Sequence, residues 1–268
     1  MRQDFLRHIA ACNTADLPGG RIPVRLAGAP VGWAKPGVAA VLGRDGLDFA
    51  DSADLALAGR QLAAAGLCRW RDEAFDVRAQ HDGAALGTVD RGVLPCLGIQ
   101  AIGVHVNGLV RRQDGVHLWV ARRAADKALD PGKLDHLVAG GVAAGMDAAT
   151  TLIKEAGEEA AIPPDLARQA QHVGRIAYAM ERPEGLRRDM LECYDLDLPE
   201  SFIPHPADGE VEGFDLWPVV RAVEAVRTTV DFKFNVNLVL IDLFLRLGLI
   251  DPASQEGKEL RRGLFAPG

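Results

Sequence analysis

The chain has 268 residues, 48% of them hydrophobic, which suffices for one large or two modest folded domains and argues against disorder. A formal net charge of −7 argues against a nucleic-acid partner, whose docking surface is usually basic. Cys12, Cys68, Cys96 and Cys193 show no CxxC spacing, which argues against a zinc or disulfide framework and fits free thiols in a reducing compartment.

The first segment, MRQDFLRHIAACN, is charged and amphipathic and lacks an apolar signal-peptide core. Phe5, Ile9 and Cys12 share a face of a helix expected within residues 1–18. Arg21 to Leu26 and Val31 to Ala34 read as strands around a Gly28-Ala29-Pro30 turn. Leu55 to Gly66 is an alanine-rich helix, and Cys68–Arg71, Phe75–Arg78 and Ala85–Val89 alternate like strands. Together these predict a small α+β unit over residues 1–98, with a boundary near Val93-Leu94-Pro95. The solitary His8, His81 and His105 are expected to be satisfied or surface histidines, and Trp33 and Trp70 core residues.

A second domain is expected over 99–250. Ala101–Val106 and Val116–Ala121 read as strands joined through Asp114-Gly115, a hairpin signal. Arg122, Arg123 and Lys127 follow; they are either solvated or placed to neutralise phosphate oxygens. Gly140 to Ile162 then reads as a glycine-rich loop, an N-cap at Asp147, and a helix stopped by Pro163-Pro164. Within it Glu155, Glu158 and Glu159 fall on one face, opposite Ile153, Ala156 and Ala160. Like charges at that spacing cost roughly 0.2–0.5 kcal/mol per pair, a term that a hard divalent cation would reverse. Beyond the helix, Leu166–His172 is a short helix or an extended lead-in, while Arg175–Met180 and Arg187–Tyr194 read as strands. The alternating Glu210–Pro218 leads into a helix at Val219–Arg227. Val236–Gly248 is a strongly apolar helix, and 251–268 is expected to be a loose polar tail. The longest apolar run, Leu238 to Leu245, is broken by Asp242 and is too short to span a bilayer, so a soluble, cytoplasmic protein with no membrane partner is expected.

At Gly140–Ile162 the sequence resembles the Nudix hydrolase box: Gly, five residues, Glu, seven residues, Arg-Glu, an aliphatic, any residue, Glu-Glu, any residue, Gly, an aliphatic. Glu155 and the Glu158-Glu159 pair match its metal-binding acids, whereas Met146, Lys154 and Ala161 depart from its first Glu, its Arg and its last Gly. Lys154 keeps a charge but loses the bidentate fork of arginine. Trp119–Arg123, Pro131–Asp135, Tyr194–Pro199, Asp208–Phe214 and Phe232–Asn235 extend the resemblance to one branch of this superfamily. That branch is fused to thiamine pyrophosphokinase in fungi and carries a similar N-terminal extension.

The resemblance implies an α/β/α sandwich with a mixed sheet behind the α+β unit. It also implies a small-molecule diphosphate substrate, namely oxo and oxy forms of thiamine diphosphate cut to monophosphates. Glu155, Glu158, Glu159 and the carbonyl of Gly140 would hold Mg²⁺, or Mn²⁺ in its place. Glu158 and Glu159 would thereby act in catalysis, with Glu210 or Glu212 taking the proton of the attacking water and Glu212 preferred. Arg123, Lys127 and Arg175 would grip phosphate, and Tyr178, Tyr194, Phe202 or Trp217 would stack on the ring, Tyr194 being the choice carried forward. The N-terminal unit would cover the ring or serve assembly, such as a homodimer. Competing readings are a Nudix hydrolase of a nucleoside diphosphate derivative, an isomerase working through Cys193, and a non-catalytic diphosphate sensor.

Overall fold

The computed structural model describes residues 4–126, 129–207 and 209–265, so Lys127 and Asp208 lie outside the described residues. The chain begins with α1 (Leu6–Cys12), then β1 (Ile22–Leu26), β2 (Ala29–Ala34), α2 (Pro36–Leu42), β3 (Leu47–Phe49) and α3 (Ser52–Ala64). β4 (Ala74–Val77), β5 (Gly87–Asp90) and α4 (Leu94–Leu97) complete the N-terminal unit. Then come β6 (Gln100–Arg112), β7 (Gly115–Arg123), β8 (Leu134–Asp135), β9 (Val138–Gly141), α5 (Ala148–Ala160) and α6 (Pro164–Ala167). The chain closes with β10 (Gln171–Arg182), β11 (Gly185–Asp197), β12 (Val211–Pro218), α7 (Val219–Thr228), α8 (Val236–Arg246) and α9 (Gln255–Leu264).

The large sheet has the order β10-β11-β6-β7-β12, with β9 paired to β6 and β8 to β7. β11 runs parallel to β6 and the other pairings are antiparallel, so the sheet is mixed. Period-two alternation splits its strands between two cores. Leu191 and Cys193 of β11 join Phe5, the residue before α1, Leu240 and Phe244 of α8 and Leu260 of α9 on one face. Tyr194 and Leu196 join Leu152, Ala156 and Ala160 of α5 on the other. Helices on both faces of a mixed sheet make the expected α/β/α sandwich. In the N-terminal unit, the β2-β1-β3 sheet, the β4-β5 ribbon and α2 to α4 share a third core.

Two local expectations need correction, and two elements were not expected. Cys68–Arg71 forms no strand; its backbone is gathered instead by Asp90, whose carboxylate accepts from the amides of Arg71, Glu73 and Gly92. The region past Asp251 is not loose: Ser254 caps α9 by accepting from Gly257 N, and Leu260 and Leu264 are buried against α1 and α8. α2 and β3 carry no expectation from the alternation pattern, yet Pro36 at the first turn and Gly43 at φ 63 bracket α2 in the usual way.

α5 ends at Ala161, which adopts φ 53 in the left-handed region where a Cβ costs roughly 1–2 kcal/mol. Ala161→Gly is therefore expected to stabilise the fold by about 1 kcal/mol in urea unfolding at unchanged m-value. A lower midpoint would show that Ala161 makes compensating contacts.

Candidate functional site

Asp147 starts α5 as expected, its carboxylate accepting from Thr150 N at 2.7 Å. The helix then sets its three acids in three different environments. Glu158 is half exposed and is held by Lys154 Nζ at 2.5 Å; the same ammonium reaches Glu155 at 3.1 Å. Glu155 is only 19% exposed in its side chain and lies against Gly140, where a Cβ would come within 2.4 Å of Glu155 Cγ. Glu159 is buried and accepts from Ala139 N at 2.9 Å. The acidic face is thus not wholly solvent-facing: it turns from water at Glu158 to the interior at Glu159, because α5 packs against β9.

Electrostatics follow burial. Desolvation lifts the Glu159 carboxyl well above the usual carboxylate range; the amide of Ala139 opposes this, and Asp135, Glu155 and Glu210 add to it. Desolvation also raises Glu155, against the pull of Lys154. Among the described residues no cation pairs with Glu159. Glu210 lines the adjoining walls with Ala139, and its charge is felt by both Glu155 and Glu159.

Beneath this cluster sits a second one. Asp135 is buried between Arg123 at 2.7 Å and Lys233 at 3.4 Å, and these two cations hold its carboxyl below the ordinary range despite burial. His105 and His136 face each other Nδ1 to Nδ1 at 2.9 Å. Burial lowers both, His136 to about 4, so both imidazoles are neutral and one Nδ1–H donates to the other. His105, Asp135 and His136 are close enough to offer a metal one ligand atom each. Asp135 already has its charge answered by Arg123 and Lys233, however, whereas Glu159 does not.

Fit to a divalent cation can be judged on the donor set. Glu155 and Glu159 offer hard carboxylate oxygens where burial disfavours their ionised forms, and Gly140 is trimmed to let Glu155 in, although among the described residues the oxygens of Glu155, Glu158 and Glu159 do not converge as the ligand atoms of His105, Asp135 and His136 do. Oxygen donors with surplus negative charge suit Mg²⁺ or Mn²⁺, so the residues present fit such an ion.

Other sequence-based candidates are distributed as follows. Arg123 borders the cavity but spends its guanidinium on Asp135 and the carbonyls of Leu129 and Asp130. Arg175 pairs with Glu192 and Asp82 at 2.9 Å, away from the cavity wall. Tyr194 is buried with its ring edge-on to His172. Tyr178 donates to Asp189 in the core, and Trp217 is core as well, so neither faces a ligand. Glu212 accepts from Ala125 N at 3.0 Å and does not line the cavity, whereas Glu210 does. His8 bonds the Val226 carbonyl and His81 bonds Glu192 through Nε2, while His81 Nδ1 is buried without a hydrogen-bond partner among the described residues. Cys193 is fully buried, its thiol pushed up by desolvation and donating weakly to the Leu191 carbonyl, which removes it as an acid for isomerase chemistry.

Sequence reasoning missed Phe75. Its ring meets Gly141 so closely that a Cβ there would lie 2.6 Å from the ring tip, bringing the N-terminal unit over the end of β9. Its only signal was the pair of adjacent glycines, Gly140 and Gly141, each leaving room for a different side chain.

Comparison with known proteins agrees with this geometry. A family model described as NUDIX domain matches residues 101–235. Nudix hydrolase 24, chloroplastic, of Arabidopsis thaliana is 41% identical over 194 residues, covering 72% of this chain and 53% of that protein. Nudix hydrolase 20, chloroplastic, of the same plant is 41% identical over 184 residues, covering 69% and 49%. The chain therefore spans about half the length of these curated relatives. Among solved structures, DR0079 from Deinococcus radiodurans aligns with a TM-score of 0.45 at 19% identity, covering 63% of this chain and 97% of that one. With half of its length matched by the family model and the box acids gathered on α5, the chain belongs to the Nudix family.

Proposed function

We propose that the chain is a divalent-metal-dependent hydrolase of a small-molecule diphosphate, cutting its phosphoanhydride bond. The observation that carries this reading is Glu159: a buried carboxylate with carboxylates for neighbours and no cation paired to it among the described residues. Such a group is costly unless a ligand brings positive charge.

In this reading Glu155, Glu158 and Glu159 hold the ion, with the Gly140 carbonyl completing the set. Bound there, the ion would neutralise diphosphate charge and lower the pKa of a water. The Ala139 amide fixes the Glu159 carboxylate in place. Lys154 moves off Glu155 and Glu158 or remains as a charge-balancing neighbour. Glu210, on the cavity wall, takes the proton as the water oxygen bonds to phosphorus and the bridging P–O bond breaks. Glu212 is assigned to holding the 125 loop through Ala125 N. The products are a monophosphate ester and inorganic phosphate.

For the substrate we propose the damaged thiamine diphosphates, the oxo and oxy forms, on the strength of the branch resemblance in the segments flanking the box. No described helix is long and apolar enough to cross a membrane. The test follows the monophosphate products released from oxothiamine diphosphate, ADP-ribose and a dinucleotide under Mg²⁺, with inorganic phosphate read as well for the thiamine compound and Glu158→Gln alongside. Turnover fastest on the thiamine derivative, lost about 100-fold or more in the variant with the fold intact, is expected. Faster turnover of ADP-ribose transfers the activity to nucleoside diphosphates, and tight binding with no turnover of any compound makes the protein a sensor.

A further inference from the structure

The cavity that starts at Ala139 and Glu210 continues well past them. It encloses about 760 Å³ and runs along the first half of β6, where the small Ala101 and Gly103 leave room above the sheet. Arg188 sits opposite Gln100 and Gly140 opposite Val104, so four residues of β6 separate the two ends. At roughly 3.3 Å per residue that is about 13 Å, long enough for a diphosphate and a ring beyond it. The far wall belongs to the N-terminal unit, through Arg69, Arg71 and Leu94.

Charge along that wall is unevenly answered. Arg187 is paired with Asp189 and Arg91 with Glu73, as Arg123 is with Asp135. Arg69, Arg71 and Arg188 have no carboxylate partner among the described residues. Arg188 gives one hydrogen bond, from an Nη to the Gly98 carbonyl at 3.2 Å, and burial alone depresses its pKa. The loop bearing Arg69 and Arg71 is fixed in advance: Asp90 accepts from Arg71 N, Glu73 N and Gly92 N, and a Cβ on Gly92 would lie 1.7 Å from the Arg69 carbonyl. A half-buried guanidinium and two exposed ones on a loop of fixed backbone, all lining one cavity and without a carboxylate partner among the described residues, form a receptor for oxygen.

We propose that Arg69, Arg71 and Arg188 form a distal subsite for hydrogen-bond-accepting oxygen on the part of the ligand remote from the diphosphate. Ring carbonyl and carboxylate share that chemistry; a cationic ring is disfavoured there. The inference rests on the diphosphate-hydrolase reading, and it assigns the N-terminal unit a role in choosing the substrate.

The test compares wild type with Arg188→Ala and Arg71→Ala on three probes: oxothiamine diphosphate, 4-carboxybenzyl diphosphate and methyl diphosphate. Each variant is expected to lose about 10- to 100-fold in kcat/KM, mostly through KM, on an oxygen-bearing probe, and at least tenfold less on methyl diphosphate. The probe that suffers more identifies carbonyl or carboxylate as the preferred source. Equal losses on all three probes, or none on either oxygen-bearing one, overturn the subsite. Calorimetric binding of the same probes in Ca²⁺ separates the two ideas: wild type that turns over nothing refutes the hydrolase reading, yet selective loss of binding in Arg188→Ala still upholds the subsite, and unchanged binding refutes it.

Discussion

Glu159→Gln is expected to make the metal-free protein more stable at neutral pH while cutting turnover about 100-fold or more. The two effects share one cause. Burial, reinforced by Asp135, Glu155 and Glu210, holds the Glu159 carboxyl well above its value in the unfolded chain, which is about 4.3. The folded state thus binds this proton more tightly than the unfolded state. The resulting stability is complete below the unfolded value and is lost as pH rises through the folded one. Glutamine has no proton to lose, keeps an oxygen for Ala139 N, and escapes that loss. In EDTA the variant should match wild type at acid pH and exceed it near neutrality by about 1–3 kcal/mol, a rise of roughly 2–4 °C in Tm per kcal/mol. Mg²⁺ should reverse the order, because it stabilises only the chain that binds it. Near-wild-type turnover of the variant in saturating Mg²⁺, or a lower Tm than wild type in EDTA at every pH, would remove Glu159 from the ion-binding set.

How far this was legible in the sequence depends on the range of the interaction. α5 and its cap were readable because Asp147, the apolar spacing and Pro163 are local signals. The β6–β7 hairpin was readable for the same reason, through Asp114-Gly115. α9 was misjudged because its polar composition hides two leucines, Leu260 and Leu264, that find their core against α8 and against α1, the latter over two hundred residues away. The helical period placed Glu155, Glu158 and Glu159 on one face, but it could not say that β9 would close over the last of them and leave the middle one in water. Arg175 and Tyr194 are the complementary failure. They carry chemistry suited to a ligand, but Glu192, Asp82 and His172 take up those groups, and only the sheet order reveals it. Arg188 escaped notice because an arginine in a strand looks like a solvated residue until its lack of a carboxylate partner is seen.

Gly140→Ala is expected to lower both Mg²⁺ affinity and kcat/KM about 10- to 100-fold while the sheet persists. Gly140 is not among the residues at positive φ, so alanine can keep its backbone and its pairing opposite Val104. What alanine cannot keep is the space: its Cβ would lie 2.4 Å from Glu155 Cγ and 2.5 Å from Cδ. Glu155 must therefore swing out, at a cost of about 1–3 kcal/mol in stability, and its oxygens leave the neighbourhood of Glu159. A double-mutant cycle distinguishes this from general loosening. If the alanine acts only by displacing the Glu155 carboxylate, Gly140→Ala combined with Glu155→Gln should be little worse than Glu155→Gln alone. Full additivity of the two losses would mean that Gly140 serves the site by some route other than Glu155, its own carbonyl being the first candidate.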